Sequence, residues 1–359
     1  MDRSEVPRVR FRLLFVLMAA LLAVACGRTA MRVMSRAVES NLRADAVGAL
    51  PDGLHVTLCG AGGPLPDPKR SAPCTAIVAG DRLFLVDAGS GAARNLAAVG
   101  YQAPRVDGVF LTHFHSDHID GLGELALLRW TGGSHADKLP LYGPEGVAEI
   151  AEGLAHAYRL DSTYRVAHHG EATVPPSGSG YRAVSFAEPS EGEGTVVLDE
   201  NGLRVTMFRV EHRPVSPAVG YRFDYAGRSV VLSGDTARSA NLERFAAGAD
   251  LLVHEALSPT LMGVVEEAAG RAGNETMRKI AHDVLDYHAS PVDAARSAAA
   301  AEVGHLLFYH VVPPLPVPGL AGVYLDGVSE AYAGPVTLGR DGTAISLPAG
   351  SREIRVLED

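Results

Sequence analysis

The sequence predicts an α/β fold in which two β-sheets lie between helical layers and the functional side chains gather at one edge. Three observations carry this. Short apolar runs of strand length recur along the chain and break at glycine, proline or aspartate. Several of these runs end in a histidine or an aspartate, the layout of an α/β site whose ligands sit beyond strand ends. An alanine-rich stretch, 291–302, reads as a helix between the later runs. With 359 residues, 47% of them hydrophobic, the chain can bury a sizeable core as a single domain.

In chain order, strands are expected at about 54–59, 75–79, 83–87, 108–112 and 140–142. Further strands are expected at about 203–211, 219–223, 229–233, 250–253, 305–310, 335–338 and 344–347. Helices are expected near 119–131, 144–160, 240–247, 275–287 and 291–302. The last has a complete start signal, with Ser290 as cap, Pro291 at the first position and Asp293 three after the cap. Residues 175–180 and 188–194 read as surface loops. Asp341-Gly342, between Val336–Leu338 and Ala344–Leu347, reads as a closing hairpin.

The segment Leu111-Thr-His-Phe-His-Ser-Asp-His-Ile-Asp-Gly-Leu122 is the most informative in the chain. It holds His113, His115, Asp117 and His118 behind the apolar run Val109–Leu111. In extended backbone, alternate side chains share a face, so His113, His115 and Asp117 converge while His118 points elsewhere, toward a second centre. Imidazole and carboxylate without thiolate suit zinc or another first-row ion beside open positions. A single buried histidine is usually structural, but four such groups in six residues are not explained that way. Later runs present more donors of the same kind: His212 after Val205–Glu211, Asp235 after Arg228–Gly234, His254 and Glu255 after Asp250–Val253, and His310 after Gly304–Tyr309.

The T-H-x-H-x-D-H segment resembles the signature of the metallo-β-lactamase superfamily. That resemblance implies a four-layer αββα sandwich holding two divalent metal ions, expected to be zinc. His113, His115 and His212 would hold the first ion, and Asp117, His118 and His310 the second, with Asp235 between them. Asp87, His254 and Glu255 would stand behind the ligands and orient them. Asp235 occupies the place where zinc β-lactamases carry a cysteine, which argues against a β-lactam substrate. The later motifs Ser233–Thr236, His254–Ala256, Tyr287–Ser290 and His310 resemble the ribonuclease Z and arylsulfatase-like branch. There His288 would donate a proton to the leaving group. In such a site the ions lie about 3.5–4 Å apart and share a hydroxide, which Asp117 would orient. Ribonuclease Z proteins carry a long tRNA-gripping arm before the strand that matches Arg228–Leu232, and here only Asp224–Ser229 stands in that place.

Arg3, Arg8, Arg10 and Arg12 precede the apolar run Leu13–Ala25, followed by Cys26. This reads as a secretory signal, too short for a spanning helix, and the small residues before Cys26 resemble a lipoprotein cleavage site. The expected organisation is a signal over 1–26, a tether over 27–51 and the hydrolase domain over 52–359, with Cys26 lipidated. An uncleaved anchor or simple secretion are the alternatives. The other two cysteines, Cys59 and Cys74, form an even pair, either a disulfide outside the cytoplasm or two buried thiols.

The net charge is −10. Residues 1–26 hold four arginines and two acids, so the remaining 28 basic and 40 acidic residues carry −12. Polyanion binding relies on Lys and Arg neutralising phosphates, so long nucleic acids are disfavoured on this basis and a small-molecule substrate is expected. The reading at this point is an exported or membrane-anchored dinuclear hydrolase acting on a phosphodiester or similar small ester. A lactonase or sulfatase in the same site, and a non-catalytic metal-stabilised envelope binding protein, are the alternatives. The sequence leaves a dimer open.

Overall fold

The computed structural model describes residues 27, 29–40 and 42–357. The run Leu13–Ala25 and Cys26 lie outside the described residues. The chain divides between Ala46 and Val47. In the first unit, helix α1 takes in residues 29–40, 42 and 43, where a tether is expected. No helix among the described residues is long and apolar enough to cross a membrane.

The second unit contains an eight-stranded sheet in the order β15-β14-β1-β2-β3-β4-β5-β6 and a seven-stranded sheet in the order β13-β12-β11-β10-β9-β8-β7. In the first sheet, β1 (Gly53–Gly60), β2 (Cys74–Ala79) and β3 (Arg82–Val86) pair antiparallel. Next, β4 (Val106–Phe110), β5 (Leu139–Pro144) and β6 (Tyr181–Phe186) add in parallel. In the second sheet, β7 (Gly194–Glu200), β8 (Leu203–Arg209), β9 (Val219–Tyr225) and β10 (Arg228–Leu232) form an antiparallel meander. It continues in parallel through β11 (Leu251–Leu257), β12 (Leu306–Val312) and β13 (Val336–Leu338). The αββα sandwich expected from the sequence is therefore the observed fold.

Strand alternation explains why the central runs are apolar throughout. Leu251, Val253 and Leu307 face the core between the sheets, while Leu252, Leu306 and Phe308 face the helical layer. That layer includes α7 (Ala240–Ala246) and α10 (Pro291–Ala300), which supply Leu242, Ala294, Ala295 and Ala298. Phe110 is the hub between the sheets. Its ring centroid lies 4.7 Å from that of Tyr142 in its own sheet and 5.3 Å from that of Tyr221 in the other. The Tyr221 hydroxyl donates to the Leu111 carbonyl at 2.7 Å, and the Val219 amide donates to the Thr112 carbonyl at 3.0 Å. The chain leaving β4 is thereby clamped to the second sheet where the histidine-rich segment begins.

Two expectations need correction. Asp341-Gly342 does not close a hairpin. Strand β13 joins β12 in parallel, whereas β14 (Ala344–Pro348) pairs with β1 and β15 (Arg355–Leu357) in the other sheet. The linker crosses between the sheets because the Asp341 carboxylate accepts from the Ala61 and Ser71 amides at 2.9 and 2.8 Å and from the Asn95 side chain at 2.9 Å. Several elements also escape the sequence reading, among them β6, β7 and the helix α8 (Pro259–Arg271). The start of α8 is legible in retrospect, with Ser258 as cap accepting from the Leu261 amide and Pro259 at the first position. The turn expected between β9 and β10 is a two-residue hairpin at Ala226-Gly227, both with positive φ.

Replacing Asp341 with Ala strands the Ala61 and Ser71 backbone amides, while the Asn95 side chain keeps the Cys59 carbonyl and the Ser71 hydroxyl, so it should cost about 2 kcal/mol of unfolding free energy. Urea unfolding measures this, and unchanged stability would refute the clamp.

Candidate metal centre

The candidate ligands reach one place from four strands, and a fifth brings Glu255 behind them. After β4, Leu111–His115 runs into the short helix α3 (Ser116–Ile119), which presents Asp117 and His118. His212 follows β8, Asp235 follows β10, Glu255 lies on β11 and His310 on β12. His113, His118, His212, Asp235 and His310 are buried, and His115 is half-buried at the opening.

The Asp235 carboxylate is the centre of the group. Its Oδ2 lies 3.3 Å from Nε2 of His118 and of His310, 3.7 Å from Nε2 of His113 and 3.9 Å from Nε2 of His212. Ligand atoms of His113, His115, His212 and Asp235 lie within 4.8 Å of one another, as do those of Asp117, His118 and His310. Nδ1 of His115 is 3.0 Å from Nε2 of His113, and Oδ2 of Asp117 is 3.3 Å from Nε2 of His310. These are the two triads drawn from the sequence, with Asp235 between them. Among the described residues, the buried Nε2 atoms of His118 and His212 and Oδ1 of Asp235 have no hydrogen-bond partner. Orphaned buried donors and acceptors are costly unless something else satisfies them. Imidazole nitrogens and carboxylate oxygens converging in this way fit divalent cations.

Behind the ligands, Asp87 accepts from the Thr112 amide at 2.9 Å and from the Thr112 hydroxyl at 2.8 Å, and its Oδ2 is 2.8 Å from Nδ1 of His118. It thus fixes the His118 ring and leaves Nε2 turned toward the site. The Tyr287 carbonyl, 2.9 Å from Nδ1 of His212, does the same for His212. Close packing requires two glycines. A Cβ at Gly89 would stand 2.0 Å from the Asp117 carbonyl oxygen, and one at Gly63 would stand 3.0 Å from the His310 ring.

His310 is placed by an irregularity. Strand alternation would turn it to the helical side with Leu306 and Phe308. The register of β12 against β11 shifts between Glu255 and Ala256, and His310 sits there with φ 46°. The bulge turns the imidazole back into the site. Regular alternation holds one strand over. His254 turns toward the helical layer, its Nδ1 2.6 Å from the Glu255 carbonyl, and it orients no ligand, contrary to the sequence reading. Glu255 faces the site. Its Oε1 accepts from the Thr236 amide at 3.0 Å and the Ala289 amide at 3.2 Å and lies 3.0 Å from Nδ1 of His288. His288 is also held by the helix start that follows it, where Ser290 accepts from the Asp293 amide. One ring nitrogen of His288 groups with Asp235 and His310.

Burial opposes the charged form of His118, but the carboxylates of Asp235 and Asp87 outweigh it and hold the imidazolium well above the usual range. His310 is raised in the same way by Asp235 and Asp117. Burial also opposes the Asp235 carboxylate, and His310 and His118 outweigh it and hold that group well below the usual range. Burial disfavours charge on His288 too, and Glu255 reverses this to a pKa of about 9. Sequence reasoning missed Thr112, although it precedes His113 directly, and the Tyr287 carbonyl. A backbone carbonyl leaves no sequence signal.

A cysteine pair flanks the loop against His310. Cys59 and Cys74 are joined by a disulfide with Cα atoms 5.0 Å apart. Metal binding needs neutral imidazole, so it must displace the protons that the carboxylates hold on His118 and His310. Zinc added to the chelated protein at pH 7 should therefore release protons, and metal affinity should fall as pH falls. Asp87→Ala should weaken zinc binding by about 10–100-fold. Calorimetry in buffers of different ionisation heat reads both, and proton-neutral binding would contradict the electrostatic picture.

The profile of the beta-lactamase superfamily domain matches residues 82–311. The ribonuclease Z of Mycobacterium avium (strain 104) is 38% identical over 300 residues, covering 83% of this chain and all of that protein. The ribonuclease Z of Mycolicibacterium gilvum is 39% identical over 264 residues, 73% of this chain and 85% of that one. Among solved structures, the short form of human tRNase Z superposes with a TM-score of 0.58 at 22% identity, covering 82% of this chain and 99% of that one. These relatives overturn the expectation of a small-molecule substrate with nucleic acid disfavoured. That expectation summed charge over the whole chain, whereas phosphate contacts are local and bound cations add positive charge at the site. The chain belongs to the metallo-β-lactamase superfamily and, within it, to the ribonuclease Z family, and it is a metal-dependent phosphodiesterase.

Proposed function

We propose that this chain hydrolyses phosphodiester bonds in RNA at a dinuclear zinc site. The observation that carries the reading is the position of Asp235, one carboxylate oxygen facing the Nε2 atoms of four histidines from two triads. His113, His115 and His212 would hold one ion, Asp117, His118 and His310 the other, and Asp235 both. Bound divalent ions supply a lowered water pKa and positive charge against the phosphoryl oxygens.

The chain's own groups do the rest. Asp117 lies beside His310, its Oδ2 3.3 Å from Nε2, where it would orient the attacking water. His288 gives one ring nitrogen to Glu255 and keeps the other toward Asp235 and His310, so it can deliver a proton to the leaving oxygen. Its raised pKa of about 9 keeps that proton available at neutral pH. Glu255 acts through His288 as a positioning residue. The Ala226-Gly227 turn leaves no arm at the β9–β10 connection, so the body around the site must grip the RNA.

The zinc-loaded protein should cleave a 3′-extended tRNA precursor or a single-stranded oligoribonucleotide, and cleavage should stop on chelation. Asp117→Ala should abolish cleavage and lower metal content. His288→Gln should slow turnover by about 10²–10⁴-fold with metal retained. A protein loaded with two ions that cuts neither RNA sinks the reading.

We further propose that the chain is exported and held at a membrane through a lipid on Cys26. The motif around Cys26 and the buried Cys59–Cys74 disulfide support this, since disulfides persist in oxidising compartments. Metabolic labelling with a fatty acid should mark the parent chain and not Cys26→Ser. Equal labelling of both would remove the lipoprotein assignment.

A further inference from the structure

We propose that α1 lies along the surface of an anionic bilayer with its apolar stripe among the acyl chains. This rests on the membrane attachment proposed above and extends it to a second contact. Met31, Met34, Val38 and Leu42 recur at spacings of three and four, so they line one face of the helix. They are 65%, 68%, 48% and 75% exposed. A continuous row of large apolar side chains is not left in water without a partner surface. Arg32 and Arg36 lie on the polar side of the helix, and Arg43 pairs with Glu39 at 2.6 Å. Residues 27–46 hold four arginines against Glu39 and Asp45, a positive segment in a chain whose net charge is −10. An apolar face with arginines on the polar face is the pattern that seats a helix in the interface of anionic lipids.

Sequence position argues for the same occupant. Only Cys26 separates the apolar run Leu13–Ala25 from Gly27. Whatever holds that run or a lipid on Cys26 at a bilayer delivers α1 to the bilayer surface. The helix is too short and too charged to cross, and its polar face needs water. Lying flat satisfies both faces.

The test uses the full chain with vesicles of phosphatidylcholine alone and of phosphatidylcholine mixed with phosphatidylglycerol. Trp130 is the single native tryptophan and is buried, so it gives an unquenched background. Met34→Trp and Val38→Trp place a reporter on the stripe, and Val33→Trp places one on the opposite face. With brominated lipids, emission at positions 34 and 38 should shift to the blue and be lost, while position 33 should keep its emission. Arg32→Glu with Arg36→Glu should reduce binding to the anionic vesicles. A chain that floats with vesicles but shows equal emission at all three positions overturns the seating of α1 and leaves the anchor standing. The same equality with concentration-dependent self-association assigns the stripe to a second copy instead. A chain that does not float overturns both.

Discussion

Burying four imidazoles around one carboxylate is the constraint on which the rest of this structure depends. Isolated buried charges are expensive, and unpaired buried nitrogens and oxygens carry a smaller cost of their own. The Asp235 oxygen faces His113, His118, His212 and His310, and among the described residues Nε2 of His118, Nε2 of His212 and Oδ1 of Asp235 lack a hydrogen-bond partner. The convergence of these atoms fits divalent cations between them. Until cations arrive, His118 and His310 are held protonated by the carboxylates beside them. The scaffold is therefore organised to hold ligands where the chain alone would not choose to keep them.

Two kinds of support do this. Directional bonds fix the rings: Asp87 holds His118, the Tyr287 carbonyl holds His212, and Glu255 holds His288. Backbone geometry supplies the rest. The bulge at His310 reverses the face on which that side chain emerges, and Gly89 lets the turn after β3 press against the backbone of Asp117. The Tyr221–Leu111 hydrogen bond couples the two sheets at the start of the ligand segment, so sandwich packing and ligand placement are one event.

The loop over the site shows how far the supports reach. The disulfide closes its base, Asp341 binds its two sides through Ala61 and Ser71, and Gly63 rests against His310. The Asp341 tethers join chain segments 280 and 270 residues apart. The absence of an arm between β9 and β10 points the same way. The RNA recognition proposed above would have to be built from this body, and the overall acidity of the chain is a poor guide to it. Net charge governs long-range attraction, while phosphate contact depends on the few groups at the mouth of the site.

The chain's residues alone made the cluster of imidazole and carboxylate donors and the buried strands legible, because each is encoded locally, and the family resemblance supplied their grouping into two candidate triads. His113-Phe-His-Ser-Asp-His118 carries its donors within one turn of chain, and Ser290-Pro-Val-Asp293 writes its own helix start. Apolar runs such as Leu251–Val253 specify doubly buried strands whatever their neighbours. Tertiary structure alone decided which face each polar residue takes and which sheet each terminal strand joins. His254 and Glu255 look equivalent in sequence, yet strand alternation sends one to the helical layer and the other to the site. His310 looks regular, yet a register shift with β11 turns it around. Asp341 looks like a hairpin turn, yet its carboxylate binds amides of a distant loop. The physical reason is common to all three. Direction and pairing depend on contacts with segments far along the chain, and no local pattern of residues carries that information.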